Sequence, residues 1–142
     1  MRIYNPEPLP EEVEALTSIG RAVLWCIYTR HNDGFVRQRY LRRAIELDHV
    51  WVVPFVVQLI GEYVAEILVD IREGLVDLDV PGSEQRRRFG RFVAENPSFF
   101  DLTRQRIASY WNCYYQSAYR RSEYPGLLLI SSLESAAAEQ SA

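Results

Sequence analysis

The sequence predicts an all-α domain of five helices, arranged as a compact bundle or a short helical solenoid. Three observations lead there. Apolar residues recur at helical spacing, as in Val13, Leu16, Ile19, Val23, Leu24 and Ile27. Turn clusters such as His31-Asn32-Asp33-Gly34 and Pro81-Gly82 separate the periodic stretches. The most apolar stretch, Val50 to Val69, carries Gln58, Glu62 and Glu66, so it reads as a buried helix and not as a membrane span.

Residues 1–9 form a Pro-punctuated lead-in. Pro10 suits the first position of a helix, and Glu11, Glu12 and Glu14 complement its N-terminal dipole. This first helix is expected to run to Arg30 and to bury the apolar stripe just named. A second helix spans Phe35 to Leu47, apolar on one face, with Arg37, Arg39, Arg42 and Arg43 elsewhere. Arg42 and Glu46 are spaced to pair along it. A short connector follows, and Pro54 opens a third helix that runs to Gly74. Its polar residues Gln58, Glu62, Glu66 and Asp70 are spaced by four and fall in one stripe. Val76 to Ser83 is a loop. The fourth helix covers Glu84 to Glu95 and begins with Arg86, Arg87, Arg88 and Arg91. Asn96-Pro97 stops it, and Ser98-x-x-Asp101 has the form of a capping box for an aromatic fifth helix ending near Arg121. Leu127 to Leu133 is a short apolar turn or helix. The domain is therefore residues 1–133, with 134–142 a small, polar, frayed tail.

Helices two and three share a pattern: an Arg-bearing amphipathic helix, a connector with Trp and Pro, then a strongly apolar helix. This pattern, over about 40 residues, resembles one hairpin of a HEAT or armadillo solenoid, which gives the alternative of a HEAT-like arrangement.

The totals exclude several chemistries. A chain of 142 residues suits one domain and can bury roughly 70% of its unfolded surface without a disulfide or a metal. All 16 basic residues are Arg. A G+C-rich bacterial genome explains that bias, and selection for bidentate carboxylate or phosphate pairing is the other reading. Lysine-dependent chemistry, by Schiff base or P-loop, is excluded either way. The net charge of −3 lacks the basic footprint of a nucleic-acid binder, despite Arg clusters at 37–43 and 86–91. Cys26 and Cys113 lie in apolar helical context without zinc or redox spacing and read as small buried thiols. The start of the chain has no apolar signal core, so the expected compartment is a bacterial cytoplasm.

Glu46-x-x-His49 has the spacing of di-iron helical bundles, but the rest of that ligand set is missing, and no metal or cofactor is expected. The stripe containing Glu62 and Glu66 has three readings: a solvated face, an ion-pair seam with Arg39, Arg42 or Arg43, or a polar groove. Two acids four apart share a helix face, yet nothing else supplies a nucleophile or an oxyanion site, so no catalysis is expected. Tyr110, Asn112, Tyr115, Gln116 and Tyr119 mark the outer and flanking sides of helix five. Tyr and Arg dominate interface hot spots. The expected function is thus a non-catalytic protein–protein interaction module of the adaptor or immunity type. Its contact residues would be Arg39, Arg43, Glu62, Glu66, Tyr110, Asn112, Tyr115, Gln116 and Tyr119. The alternatives are a small-ligand binder or enzyme using the helix-three carboxylates, and a structural homo-oligomer such as a homodimer.

Overall fold

A computed structural model of the protein describes residues 1–140 and is all-helical. Among the described residues it has eight α-helices, not five: α1 (Pro10–Glu14), α2 (Ser18–Tyr28), α3 (Gly34–Ala44), α4 (Val53–Ile60), α5 (Ala65–Gly74), α6 (Glu84–Glu95), α7 (Pro97–Tyr110) and α8 (Pro125–Gln140). A 3₁₀ turn, Val50–Val52, precedes α4, and a π-helical turn, Trp111–Tyr115, follows α7.

The higher count comes from breaks inside elements that periodicity alone reads as continuous. The first break is at Thr17, whose hydroxyl accepts from the Gly20 N–H at 3.0 Å and caps α2. The second is at Gly61–Val64, where Gly61 ends α4 and extended Val64 leads into α5. Asn96, not Ser98, sits at the N-cap of α7, and Pro97 occupies its first turn without any side-chain cap. Beyond Tyr110 the helix widens into the π turn and then ends in turns. The C-terminal helix runs through Gln140 with Ala136 buried, well past the Leu133 at which the sequence places a frayed tail. Residues 141–142 of that expected tail lie outside the described residues.

The core gathers around α4, α5 and α8. Leu41, Ile60, Ile67, Leu68, Ile71, Ile107, Leu129 and Leu133 are fully buried there. The most extensive helix pairing is α6 with α8. It is close because Gly90 has no side chain: a Cβ there would lie 2.6 Å from the Ala136 carbonyl carbon. Buried Arg86 clasps the same pair. It donates to Glu139 at 2.6–3.0 Å, to Ser135 Oγ at 2.8 Å and to the Leu78 carbonyl at 2.9 Å.

The lead-in is tied down as a strap across the ends of α2 and α3. Ile3 exchanges backbone hydrogen bonds with Arg30 (3.0 Å) and Asn32 (2.9 Å). Tyr28 Oη donates to the Pro6 carbonyl at 2.9 Å, and His31 Nε2 bonds the Asn5 carbonyl at 2.8 Å. No helix among the described residues is long and apolar enough to cross a membrane.

Candidate binding surface

The break between α4 and α5 lies at the floor of a cleft of about 380 Å3. Its walls come from four parts of the chain: Met1 and Arg2 of the strap, Thr29 and Arg30 after α2, Phe55, Gln58 and Leu59 of α4, and Arg106 and Tyr110 of α7. Gly61, Glu62 and Tyr63 of the break complete it.

Glu62 is buried and held between two guanidiniums, Arg2 Nη2 at 2.6 Å and Arg37 Nη2 at 3.5 Å. Arg37 is itself buried behind the cleft and donates through Nη1 to the His31 and Asn32 carbonyls, both at 2.9 Å. Desolvation lowers the pKa of this guanidinium, and the charge of Glu62 opposes that shift. Among the described residues, Arg30 meets only neutral acceptors, the Gln58 side-chain oxygen and the Met1 carbonyl. Arg106 lays its stem over Gly61, where a Cβ would come within 3.3 Å of its Cδ, and forms no ion pair or hydrogen bond among the described residues. The cleft therefore carries three guanidiniums, Arg2, Arg30 and Arg106, against one carboxylate.

A row of tyrosines leaves this cleft. Tyr63 and Tyr110 line it with ring centroids 6.1 Å apart, and Tyr114 continues the row at 6.4 Å from Tyr110. Tyr63 and Tyr114 are 56% and 67% exposed. On another side the cleft adjoins α2 at Arg30. The buried residues of α2 are Ala22, Cys26 and Tyr28, followed by Thr29. Leu16, Ile19, Val23 and Ile27, read from the sequence as an inner stripe, face outward and are 39% to 61% exposed. Periodicity identifies an apolar face, and among the described residues this one is left about half exposed.

The residues expected to form a partner surface are dispersed. Glu62 and Tyr110 meet in the cleft. Glu66 is exposed on α5, in a shallow groove with Arg42, Asp70 and Tyr119. Asp70 accepts from Arg42 Nε at 2.9 Å and from Gln38 at 2.7 Å, so Arg42 pairs across helices and not with Glu46. Arg39 pairs with Glu7 at 2.5 Å, and Arg43 lies 5.9 Å from the ring centre of Trp25. Asn112 and Gln116 are exposed and bond each other at 3.1 Å. Tyr115 and Tyr119 are half-buried: Tyr115 stacks on buried Tyr124 at 5.3 Å and donates to the Tyr63 carbonyl, and the Tyr119 carbonyl accepts from Trp111 Nε1 at 3.1 Å. These two tyrosines brace the break and the π turn. Burial is the main reason the Tyr115 phenol pKa is raised.

One smaller expectation is corrected. Cys26 is buried, but Cys113 is exposed on the π turn. His49 is exposed and stacks on Trp51 at 5.0 Å. Arg2, Arg30, Arg106 and Tyr63 are cleft residues that sequence reasoning missed; they lie far apart in the chain, and no spacing rule joins them. No family model, no curated protein and no solved structure matches the chain.

Proposed function

We propose that the protein is a non-catalytic helical module that works by binding another protein, with the outward apolar face of α2 as the centre of contact. The observation that carries this reading is the exposure of Leu16, Ile19, Val23 and Ile27 on one face. Contiguous apolar surface on a folded chain marks an interaction site. Covering four half-exposed aliphatic side chains is worth about 3–6 kcal/mol. Association costs roughly 4–15 kcal/mol, so the contact has to extend beyond the ridge. The Tyr63–Tyr110–Tyr114 row supplies residues of the type that dominates interface energetics. The HEAT-like reading of α3 to α5 fits the same role, since helical solenoids act as binding scaffolds. A bacterial cytoplasm remains the compartment this reading assumes. Glu62 supports the non-catalytic assignment, because its carboxylate is engaged by Arg2 and Arg37.

The test is a pull-down from a bacterial lysate with wild type beside Ile19→Asp/Val23→Asp. Circular dichroism checks both folds, and light scattering follows mass with concentration. A protein retained by wild type and lost by the folded variant supports the reading. Concentration-dependent doubling of mass that the variant abolishes assigns the ridge to a second copy instead, which is the homo-oligomer alternative. Neither effect would leave α2 an inert face and sink the proposal.

A further inference from the structure

We propose that the cleft at the α4–α5 break is a binding site for a phosphate monoester. This inference is independent of the α2 ridge.

The argument starts from charge. Nine of the sixteen arginines form ion pairs with carboxylates among the described residues. Seven have no such pair among the described residues, and two of these, Arg30 and Arg106, line the cleft. Arg2 and Arg37 share the single carboxylate of Glu62, while Arg30 has neutral partners and Arg106 none. Counting Arg2, Arg30, Arg106 and the Arg37 behind them against Glu62 leaves an excess of three positive charges at a concave space of about 380 Å3. A dianion offsets most of that excess, whereas one carboxylate would leave most of it.

Geometry narrows the class. The guanidiniums arrive from the strap, from the end of α2 and from α7. A tetrahedral phosphate offers three terminal oxygens in different directions, and Arg is the side chain that meets such oxygens with paired donors. The rings of Tyr63 and Tyr110 stand at the rim, tilted by 57° to each other. They provide an apolar wall for the organic part of an ester, which free phosphate would not use. The site is also preorganised: Arg2 is fixed by Glu62, Arg30 by Gln58, and the stem of Arg106 by the bare backbone at Gly61.

The probe is phenyl phosphate, titrated at constant ionic strength into 15N-labelled protein and read as amide and Arg Nε shifts. Saturable shifts are expected around Arg30, Tyr63 and Arg106. Phenyl sulfate and benzoate, both monoanions, should bind at least fivefold more weakly. The second ionisation of a phosphate monoester lies near pH 6. Phenyl phosphate affinity should therefore fall several-fold from pH 7.5 to pH 5, with phenyl sulfate unchanged. Arg106→Ala, at an exposed position, should keep the fold and weaken phenyl phosphate about tenfold, and Arg106→Lys should restore only part of that loss. Glu95→Ala, also exposed and remote from the cleft, serves as a control and should change nothing. The proposal is overturned by absence of saturable shifts up to about 10 mM, by equal affinity for benzoate, or by an unaltered Arg106→Ala. If inorganic phosphate binds as tightly as phenyl phosphate, the tyrosine wall contributes nothing and the ester is overturned in favour of free phosphate. Loss of the α2 ridge by Ile19→Asp/Val23→Asp should leave phenyl phosphate binding intact, so failure of either proposal is read separately.

Discussion

Replacing Gly90 by alanine sets two effects against each other inside one helix. Alanine is the better helix former by about 1 kcal/mol, which favours the variant. Packing opposes it. The added methyl would sit 2.6 Å from the carbonyl carbon of Ala136 and 3.1 Å from its Cβ, with the carbonyl oxygen nearer still. Backbone atoms cannot rotate aside, so α8 has to retreat by roughly 0.8 Å to restore ordinary contact. Such a gap forfeits a quarter to a half of each dispersion contact it opens. For about 30 facing carbon pairs that loss is about 1–2 kcal/mol. The retreat also strains the Arg86 hydrogen bonds to Ser135 and Glu139, at about 1 kcal/mol each. Packing wins, and Gly90→Ala should destabilise by about 1–3 kcal/mol, within the range known for overpacked cores.

Urea unfolding followed at 222 nm measures this, with thermal melts expected to fall by on the order of 5–10 °C. Ala94→Gly, exposed on the same helix, isolates the propensity term and should cost about 1 kcal/mol. Gly126→Ala gives a graded comparison. Its methyl would meet the buried Ile107 side chain at 2.6 and 3.2 Å and the Tyr124 ring at 3.1 Å, side chains and not backbone, so the loss should be smaller than at Gly90. If Gly90→Ala is neutral or stabilising while Ala94→Gly costs its usual amount, α6 and α8 do not cross at Gly90 and the packing argument is wrong.

Two further predictions concern buried polar groups. Arg37→Met strips the His31 and Asn32 carbonyls of a donor and leaves Glu62 with Arg2 alone. It should cost about 3–5 kcal/mol, against less than about 1 kcal/mol for Arg39→Met at an exposed pair, and adding Glu62→Gln should recover part of the loss. Burial pushes the Cys26 thiol from 9.0 up to about 11, and it also raises the Tyr124 phenol. A raised acid is held neutral in the folded state, so its contribution is full below pH 9 and is lost as pH climbs toward 11. For Cys26 that amounts to about 2–3 kcal/mol. Melting temperatures should fall across that window, less so in Cys26→Ala. A thiol reagent at pH 8 should meanwhile titrate exposed Cys113 quickly and Cys26 only on unfolding. A pH-independent melt, or two equally fast thiols, would contradict the burial argument.

Several elements were legible in the sequence because local signals agreed. The Glu84–Glu95 helix has Ser83 before it and Asn96-Pro97 after it, and both ends fall where those residues place them. The Phe35–Leu47 helix and the Pro81-Gly82 turn are found close to their expected positions, Gly82 with a φ of 76° that suits glycine. The misses share a cause: periodicity reports composition along a face, and tertiary neighbours decide what that face meets. The Leu16–Ile27 stripe has the spacing of a core face yet points outward. Thr17-Ser18 carried a capping signal that the surrounding apolar pattern masked. In the last helix, small residues such as Ala136 looked like a tail, although small size is what lets α8 approach Gly90. Tyr124 lies between the expected end of helix five near Arg121 and the apolar segment from Leu127, and it is fully buried, with Tyr115 and Tyr119 packed against its ring.

The stripe Gln58, Glu62, Glu66, Asp70 shows how the break creates the cleft. On one straight helix these four residues would face a common environment. With the chain interrupted at Gly61–Val64, each meets something different. Gln58 accepts from Arg30, Glu62 from Arg2 and Arg37, Asp70 from Arg42 and Gln38, and Glu66 remains exposed. The half on α5 becomes a seam to α3, in line with an ion-pair reading of the stripe. The half at the end of α4 turns toward the strap and α7, where Glu62 is the one carboxylate in a lining that holds Arg2, Arg30 and Arg106. Restoring a continuous helix would carry Glu62 away from Arg2 and Arg37, leave Arg37 buried without its charge partner, and erase the floor of the cleft. A buried charge left unpaired costs several kcal/mol, more than the single turn of helix that the break gives up. The interruption is thus stabilised by Arg37 and by Arg2, the second of which also lines the cleft.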